Sequence, residues 1–357
     1  MMNKFAIQDL VRKNISKLLP YSCARDEYKG DQAVFLDANE NPYENGYNRY
    51  PDPYQRKLKA RISEIKGVPV ERMMLGNGSD EIIDLMIRSF CEPKRDHILV
   101  FSPGYAMYEV SAEINDVEVR KMNLTTAFLP DWSELKKQTD PHSKILFLCT
   151  PNNPTGKVIP FTQLEQVCID FPGIVMVDEA YIDFTDECSA VKLLEKYRNV
   201  VVLQTLSKAW GMAGLRLGIC FADPEVIQVL NKVKAPYNIS SLTQQAAIEV
   251  LQRYEDFEQK CLAIKTERQR LIKALRALEI FQQVYDSEAN FILGISDKCR
   301  EVYHYLVDQQ IVVRLRDIPP LIAGGIRITV GTKEENDCLL DALRRMKQQI
   351  TANSDIC

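Results

Sequence analysis

Between residues 97 and 222, short apolar and β-branched runs alternate with stretches whose apolar positions recur at helical spacing. That rhythm predicts a largely parallel sheet covered by helices. Strands are expected at His97–Phe101, Lys144–Cys149, Ile174–Val177, Val200–Gln204 and Leu217–Phe221, and helices at Phe161–Asp170, where Pro160 suits a helix start, and at Val191–Tyr197. After Pro224 the pattern turns helical for a long stretch, through Leu242–Leu251 and into a charged segment with Lys265, Glu267, Arg268 and Arg270. Apolar runs at Ala289–Ile295, Ile311–Val313 and Ile326–Val330 then alternate with helical patterns at Cys299–Gln309 and Glu334–Gln348, which reads as a second, smaller α/β body. The first forty or so residues carry an irregular segment with Asn39, Asn41 and Pro42.

A chain of 357 residues is more than one hydrophobic core usually serves. The expected division is a large domain over residues 45–255 and a small one over 256–357, with residues 1–44 as an arm packed with the small domain. Hydrophobic residues at 46% and charged residues at 26% are those of a chain that folds throughout. A net charge of −4, without a basic stripe, argues against nucleic acid as a partner. The first ten residues mix Lys4, Gln8 and Asp9 among apolar ones, unlike a signal peptide, and no run approaches a membrane span. Ten cysteines are scattered singly, without CxxC spacing, so free thiols in a reducing cytoplasm are expected and no metal site. Three isolated histidines leave little material for a histidine-based triad.

Candidate chemistry sits where the predicted strands end, the place where open parallel sheets bind ligands. Phe101 runs into Ser-Pro-Gly-Tyr105, Cys149 into Thr-Pro-Asn-Asn-Pro-Thr-Gly156, Val177 into Asp178-Glu-Ala-Tyr181, and Gln204 into Thr-Leu-Ser-Lys208. Asp178 follows four apolar residues, so its carboxylate emerges partly buried and needs a partner; a cationic ring nitrogen is one, a helix cap or salt bridge another. Tyr181 is close enough to serve the same site, or to be a core tyrosine. Lys208 precedes a stretch of small residues that lets a bulky ligand approach the backbone, and a desolvated lysine is a nucleophile. Ser207 and Arg216 flank it and suit a phosphate. Upstream, Gly76-Asn-Gly-Ser-Asp80 leads into a helical pattern, which is either an anion site or a capped turn.

The set Gly-Asn-Gly-Ser-Asp-Glu81, Pro-Asn-Asn-Pro-Thr-Gly156, Asp178-Glu-Ala-Tyr181, Ser207-Lys208 and Gly214-Leu-Arg216 resembles the fold-type I, aspartate-aminotransferase-like enzymes over nearly the whole chain. Leu36-Asp-Ala-Asn-Glu-Asn-Pro42, Arg49-Tyr-Pro-Asp-Pro53, Thr205-Leu-Ser-Lys208 and Arg327-Ile-Thr-Val-Gly331 resemble the histidinol-phosphate aminotransferases within that group. The resemblance implies pyridoxal 5′-phosphate held as a Schiff base by Lys208, which then moves the substrate proton. It implies that Asp178 pairs with the pyridinium, Asn153 and Tyr181 with the phenolic oxygen, and that Tyr105 stacks on the ring. Gly78, Ser79, Asp80, Ser207 and Arg216 would hold the cofactor phosphate, and Tyr50 would reach that of the neighbouring subunit in a homodimer. Arg327 would bind the substrate carboxylate, and Tyr21 and Arg314 the substrate phosphate, with Arg316 an alternative to Arg314. The implied reaction exchanges an amino group between histidinol phosphate and 2-oxoglutarate in histidine biosynthesis. Aromatic amino acid aminotransferases and threonine-phosphate decarboxylases on the same scaffold are the nearest rivals. A cofactor-binding regulator is the non-enzymatic one, disfavoured because too few residues precede Leu36 to hold a winged helix.

Overall fold

The computed structural model describes residues 6–20 and 33–354. Its larger sheet has seven strands: β1 (Met73–Asn77), β2 (His97–Ser102), β3 (Glu118–Asn123), β4 (Ser143–Cys149), β5 (Ile174–Asp178), β6 (Val200–Thr205) and β7 (Leu217–Ala222). They lie in the order β1-β7-β6-β5-β4-β2-β3, and β7 runs antiparallel to both of its neighbours while the others pair in parallel. Strands β5, β6 and β7 are buried at every position, which is why the chain shows continuous apolar runs there rather than alternation. Helices cover both faces and divide the core into two layers, one around Leu75, Leu146 and Val202, the other around Met74, Phe147 and Leu203.

Two strands escape the apolar pattern. β3 is an edge strand whose Glu118, Arg120 and Lys121 face solvent to some degree and whose fully buried residue is Met122, so its composition reads as loop. β1 is short and ends in Gly76-Asn77 at the start of the helix Gly78–Phe90. The segment expected as a helix at Val191–Tyr197 is a 3-10 helix, Ala190–Glu195, opened by the Ser189 side chain accepting from the Val191 N–H. The helix Pro224–Val233 begins as its sequence dictates, with Asp223 as cap accepting from Glu225 and proline in the first turn.

A second sheet, β8 (Gln283–Val284), β9 (Phe291–Ile295), β10 (Arg314–Leu315) and β11 (Gly325–Thr329), lies in the order β10-β11-β9-β8 and is antiparallel throughout. The apolar run Ile311–Val313 is not itself a strand; the strand follows it at Arg314–Leu315, whose residues pair with Arg327 and Ile326 of β11. The long helix Tyr254–Leu278 and the helices Cys299–Asp308 and Lys333–Ser354 build this body's core around Leu275, Val302 and Leu340. A small cluster of Tyr181, Phe184, Ala209, Cys261, Ala289 and Phe291 joins it to the larger sheet.

Residues 6–20 correct one expectation. The helices Ile7–Leu10 and Lys13–Ser16 set Ile7, Val11 and Ile15 into the second core layer of the larger sheet, beside the helix Pro224–Val233, not onto the smaller body. Aliphatic residues every fourth position form a stripe, and that layer offers the apolar surface to cover it. Arg12 fixes the docking by donating to Arg88 O at 2.8 Å and pairing with Glu92 at 3.4 Å. Among the described residues no helix is long and apolar enough to cross a membrane.

Candidate active site

A cavity opens at the carboxyl ends of β4, β5 and β6, lined by Ser79, Asp80, Tyr105, Cys149, Asn153, Asp178, Ala180, Tyr181, Thr205, Ser207, Lys208 and Arg216. The parallel register sets Cys149 beside Asp178, so the last residues of adjacent strands meet at its floor. Nine of the residues singled out from sequence converge there: Ser79, Asp80, Tyr105, Asn153, Asp178, Tyr181, Ser207, Lys208 and Arg216.

Asp178 is buried, and burial lifts its carboxyl from 3.8 to about 6. The Tyr108 hydroxyl donates to Oδ2 at 2.5 Å and the Ala180 N–H to Oδ1 at 3.0 Å, both pulling the other way. Among the described residues it has no salt bridge, and Lys208 is the cation whose charge acts on it.

Lys208 opens onto the cavity at the turn after β6. Desolvation by surrounding atoms, then the charges of Arg327 and Arg216, lower its amine below the ordinary lysine range, against the pull of Asp178 and Asp80. Its Nζ lies 5.8 Å from the Tyr181 ring centroid. The Tyr181 hydroxyl accepts from Asn153 Nδ2 at 3.3 Å, and Asn153 Oδ1 accepts from Arg327 Nη1 at 2.6 Å. Thus β11 of the smaller sheet reaches the strand ends of the larger one. Arg327 also lies over the Phe291 ring, 5.3 Å from its centroid, and its Nε is buried without a partner among the described residues.

One end of the cavity is a cradle of backbone. The helix Gly78–Phe90 starts with no side-chain cap from Asn77, leaving its positive end directed at the cavity. Gly78 has φ +77°, and a β-carbon there would meet the Arg216 guanidinium at 2.7 Å. Gly218 lies under the same turn, where a β-carbon would fall 2.5 Å from Gly78 C and Ser79 N. Arg216 itself is held at φ 51°, a left-handed conformation that side chains disfavour, and its carbonyl accepts from the Gly78 N–H at 2.7 Å. The Ser207 hydroxyl is buried beside this cradle with no partner among the described residues. Tyr105 donates to Asp80 Oδ1 at 2.9 Å, and Arg216 lies 3.4 Å from Asp80 Oδ2.

Other expected residues lie apart. Tyr50 is half exposed, stacks on Tyr237 with centroids 4.5 Å apart, and does not line the cavity of its own chain. Arg314 is exposed on β10, directly across from Arg327. Arg316, two residues on, is less exposed; burial, then Arg327 and Arg314, lower its guanidinium below the ordinary arginine range, and it feels Tyr181 as well. Among the described residues, none of the three arginines has a carboxylate partner. Tyr21 lies outside the described residues. Sequence reasoning passed over Tyr108, Cys149 and Thr205; Tyr108 carried one usable signal, standing three residues after Tyr105, the spacing that puts side chains on one helical side.

Residues 25–343 match the model of the family described as aminotransferase class I and II. The chain is 50% identical over 341 residues to the histidinol-phosphate aminotransferase of Parabacteroides distasonis, covering 96% of this chain and 99% of that one. The histidinol-phosphate aminotransferase of Clostridium acetobutylicum has a similar structure, with a TM-score of 0.77 and 26% identity over 84% of this chain and 91% of that one. The Sinorhizobium meliloti enzyme of the same name, solved in complex with pyridoxal-5′-phosphate, shares the fold with a TM-score of 0.76 at 22% identity, over 85% of this chain and 84% of that one.

Proposed function

The chain belongs to the aminotransferase class I and II family, and from that premise we propose that it exchanges an amino group between histidinol phosphate and 2-oxoglutarate. The products are imidazole-acetol phosphate and glutamate, and the cofactor is pyridoxal 5′-phosphate. The observation that carries the substrate reading is the group of Arg314, Arg316 and Arg327, which lacks carboxylate partners among the described residues and is tied to the Lys208 cavity by the bond from Arg327 to Asn153 in its lining. Clustered guanidiniums repel one another, so a substrate with a phosphate dianion relieves the repulsion more than a monocarboxylate does.

The cavity fits the cofactor on its own chemistry. The orphaned Ser207 hydroxyl, the uncapped helix start at Gly78 and the Arg216 guanidinium suit a phosphate, with Ser79 and Asp80 in the same turn. Asp178, a buried acid without a salt bridge among the described residues, suits a protonated ring nitrogen. Asn153 and Tyr181 would hydrogen-bond the phenolic oxygen, and Tyr105 would lie against the ring. When bound, pyridoxal phosphate supplies a carbonyl carbon for the amine and a ring that accepts electrons as the substrate Cα loses its proton. Lys208 would hold the cofactor covalently at rest; once released, its Nζ takes the proton from the substrate Cα. Its lowered amine pKa leaves more of it neutral for both tasks.

We read the protein as a homodimer in which Tyr50 serves the second copy's site. In support, Val34, Leu36, Tyr43 and Tyr47 are 86%, 88%, 82% and 69% exposed on the segment that leads to it. We place it in the cytoplasm because the cysteines of the described residues are free and mostly buried. A half-reaction screen tests the substrate assignment. The purified pyridoxal form should convert to the pyridoxamine form fastest with histidinol phosphate, and also with glutamate. Faster conversion with phenylalanine, or release of carbon dioxide from threonine phosphate, overturns it.

A further inference from the structure

Asp178 is the strongest demand the site makes on the fold, because a buried carboxylate without a cation tends to take up a proton and cease to be a charge. Its surroundings come from every neighbouring element: Tyr108 and Tyr105 from the β2 side, Cys149 on β4, Asp80 at the helix start, and Tyr181 and Lys208 beyond β5 and β6. Burial and Asp80 favour the neutral acid, while Tyr108, Ala180 and Lys208 favour the anion. Of these, Tyr108 is the side chain that donates directly to a carboxylate oxygen, and its 2.5 Å contact is at the short end of the range for a hydroxyl on a carboxylate.

The hydroxyl is held in place. Tyr108 is 3% exposed, its ring stacks on Phe147 with centroids 4.6 Å apart at 19°, and it stands edge-on to Tyr105 at 5.6 Å. Cys149, the other group at hand, turns its Sγ to Pro151 O at 3.4 Å and lies close enough to act on the Tyr108 phenol as well. Burial and the nearby anion raise the phenol's pKa well above its ordinary value, so it stays a donor. A proton on Oδ2 would force the phenol to give up its role as donor and accept instead, so the contact favours the ionised acid against the burial that favours the neutral one.

We propose that Tyr108 is a positioning residue for Asp178: its hydroxyl keeps the carboxylate ionised and fixed in rotation, leaving the remaining lone pairs for the cofactor's ring nitrogen. The inference rests on the cofactor reading above. A satisfied core tyrosine would also be buried and hydrogen-bonded, so the test must follow charge and not stability alone.

Tyr108→Phe keeps the stacking and removes the donor. Cofactor uptake, followed by absorbance against pH, should weaken in the parent protein as pH falls through about 6. In the variant that weakening should begin about one to two pH units higher, the equivalent of a ten- to hundredfold change from losing a hydrogen bond to a charged group. Turnover should fall by a similar factor with pyridoxal phosphate but by much less with its N-methyl analogue, whose ring nitrogen carries a permanent charge. Tyr108→His, which restores a donor, should recover part of the loss. In an Asp178→Asn background, Tyr108→Phe should add little. Equal losses with both cofactors, an unmoved pH dependence, or full additivity with Asp178→Asn overturns the proposal. A parent protein that takes up no pyridoxal phosphate overturns the cofactor reading, and this one with it.

Discussion

At the scale of single residues, the site is built from groups whose pKa values are moved by burial and by neighbouring charges. Asp178 has a carboxyl raised from 3.8 to about 6 by burial. A folded-state value above the unfolded one means that the group's contribution to stability is complete below the unfolded value, and is lost as pH rises through about 6. The cofactor-free protein at neutral pH therefore carries a penalty of about 3 kcal/mol at most. Asp178→Asn, measured without cofactor, should melt higher than the parent at pH 8, and the gain should vanish near pH 4. A variant that melts lower than the parent at pH 8 would show that the carboxylate is a net stabiliser. Turnover should drop by orders of magnitude in the same variant, because the neutral amide gives the ring nitrogen no counter-charge.

At the scale of elements, two structures meet at the cavity: the strand ends of the larger sheet with the helix Gly78–Phe90, and β11 of the smaller one, whose Arg327 bonds to Asn153 in the lining. The helix start can lie against β7 because Gly218 has no side chain; a β-carbon there would meet backbone at 2.5 Å, which cannot yield as a flexible side chain does. Gly218→Ala should displace the Gly78–Ser79 turn and weaken uptake of pyridoxal phosphate about tenfold or more, an overpacking cost of about 1–3 kcal/mol. Uptake equal to the parent's would show that the cradle is not set by this approach. On β10 and just beyond it, exposed Arg314 and more enclosed Arg316 compete for the substrate phosphate. Arg316→Ala should lower kcat/KM for histidinol phosphate about ten- to hundredfold, as loss of a charge-assisted hydrogen bond does. Arg314→Ala should cost less, and both should cost less for glutamate. The reverse order for the two arginines would return the role to Arg314.

At the scale of the whole molecule, Tyr50 lies outside the cavity of its own chain, on a segment with exposed aliphatic and aromatic side chains. If it completes the site of a second copy, Lys208→Ala and Tyr50→Ala are defective in different halves of the dimer. Mixing the two inactive variants under subunit exchange should restore about a quarter of parental activity, because half the dimers are hybrids with one intact site. No recovery, with exchange shown by mass, would place Tyr50 in its own chain's service or in none.

The chain's own pattern was enough for the alternating layers, the five central strands and the strand-end residues Asp178 and Lys208. These are local matters: a buried strand must be apolar along its length, and a polar residue at its end must face whatever lies there. The pattern failed where an element's character depends on distant neighbours. β3 is polar because it lies at an edge, and β10 is fixed by its partner in β11. The arm's aliphatic stripe names no surface of its own, and only the folded layers decide that Ile7, Val11 and Ile15 cover the larger sheet. In the site, residue types marked the lysine, the acid and the helix start, but not Tyr108, whose importance comes from a helix crossing Asp178 across 70 positions of sequence. The resemblance implied Arg314, with Arg316 as its alternative, and residue types offered no way to test that order. Arg316 is the less exposed of the two, and burial is a property of the assembled molecule.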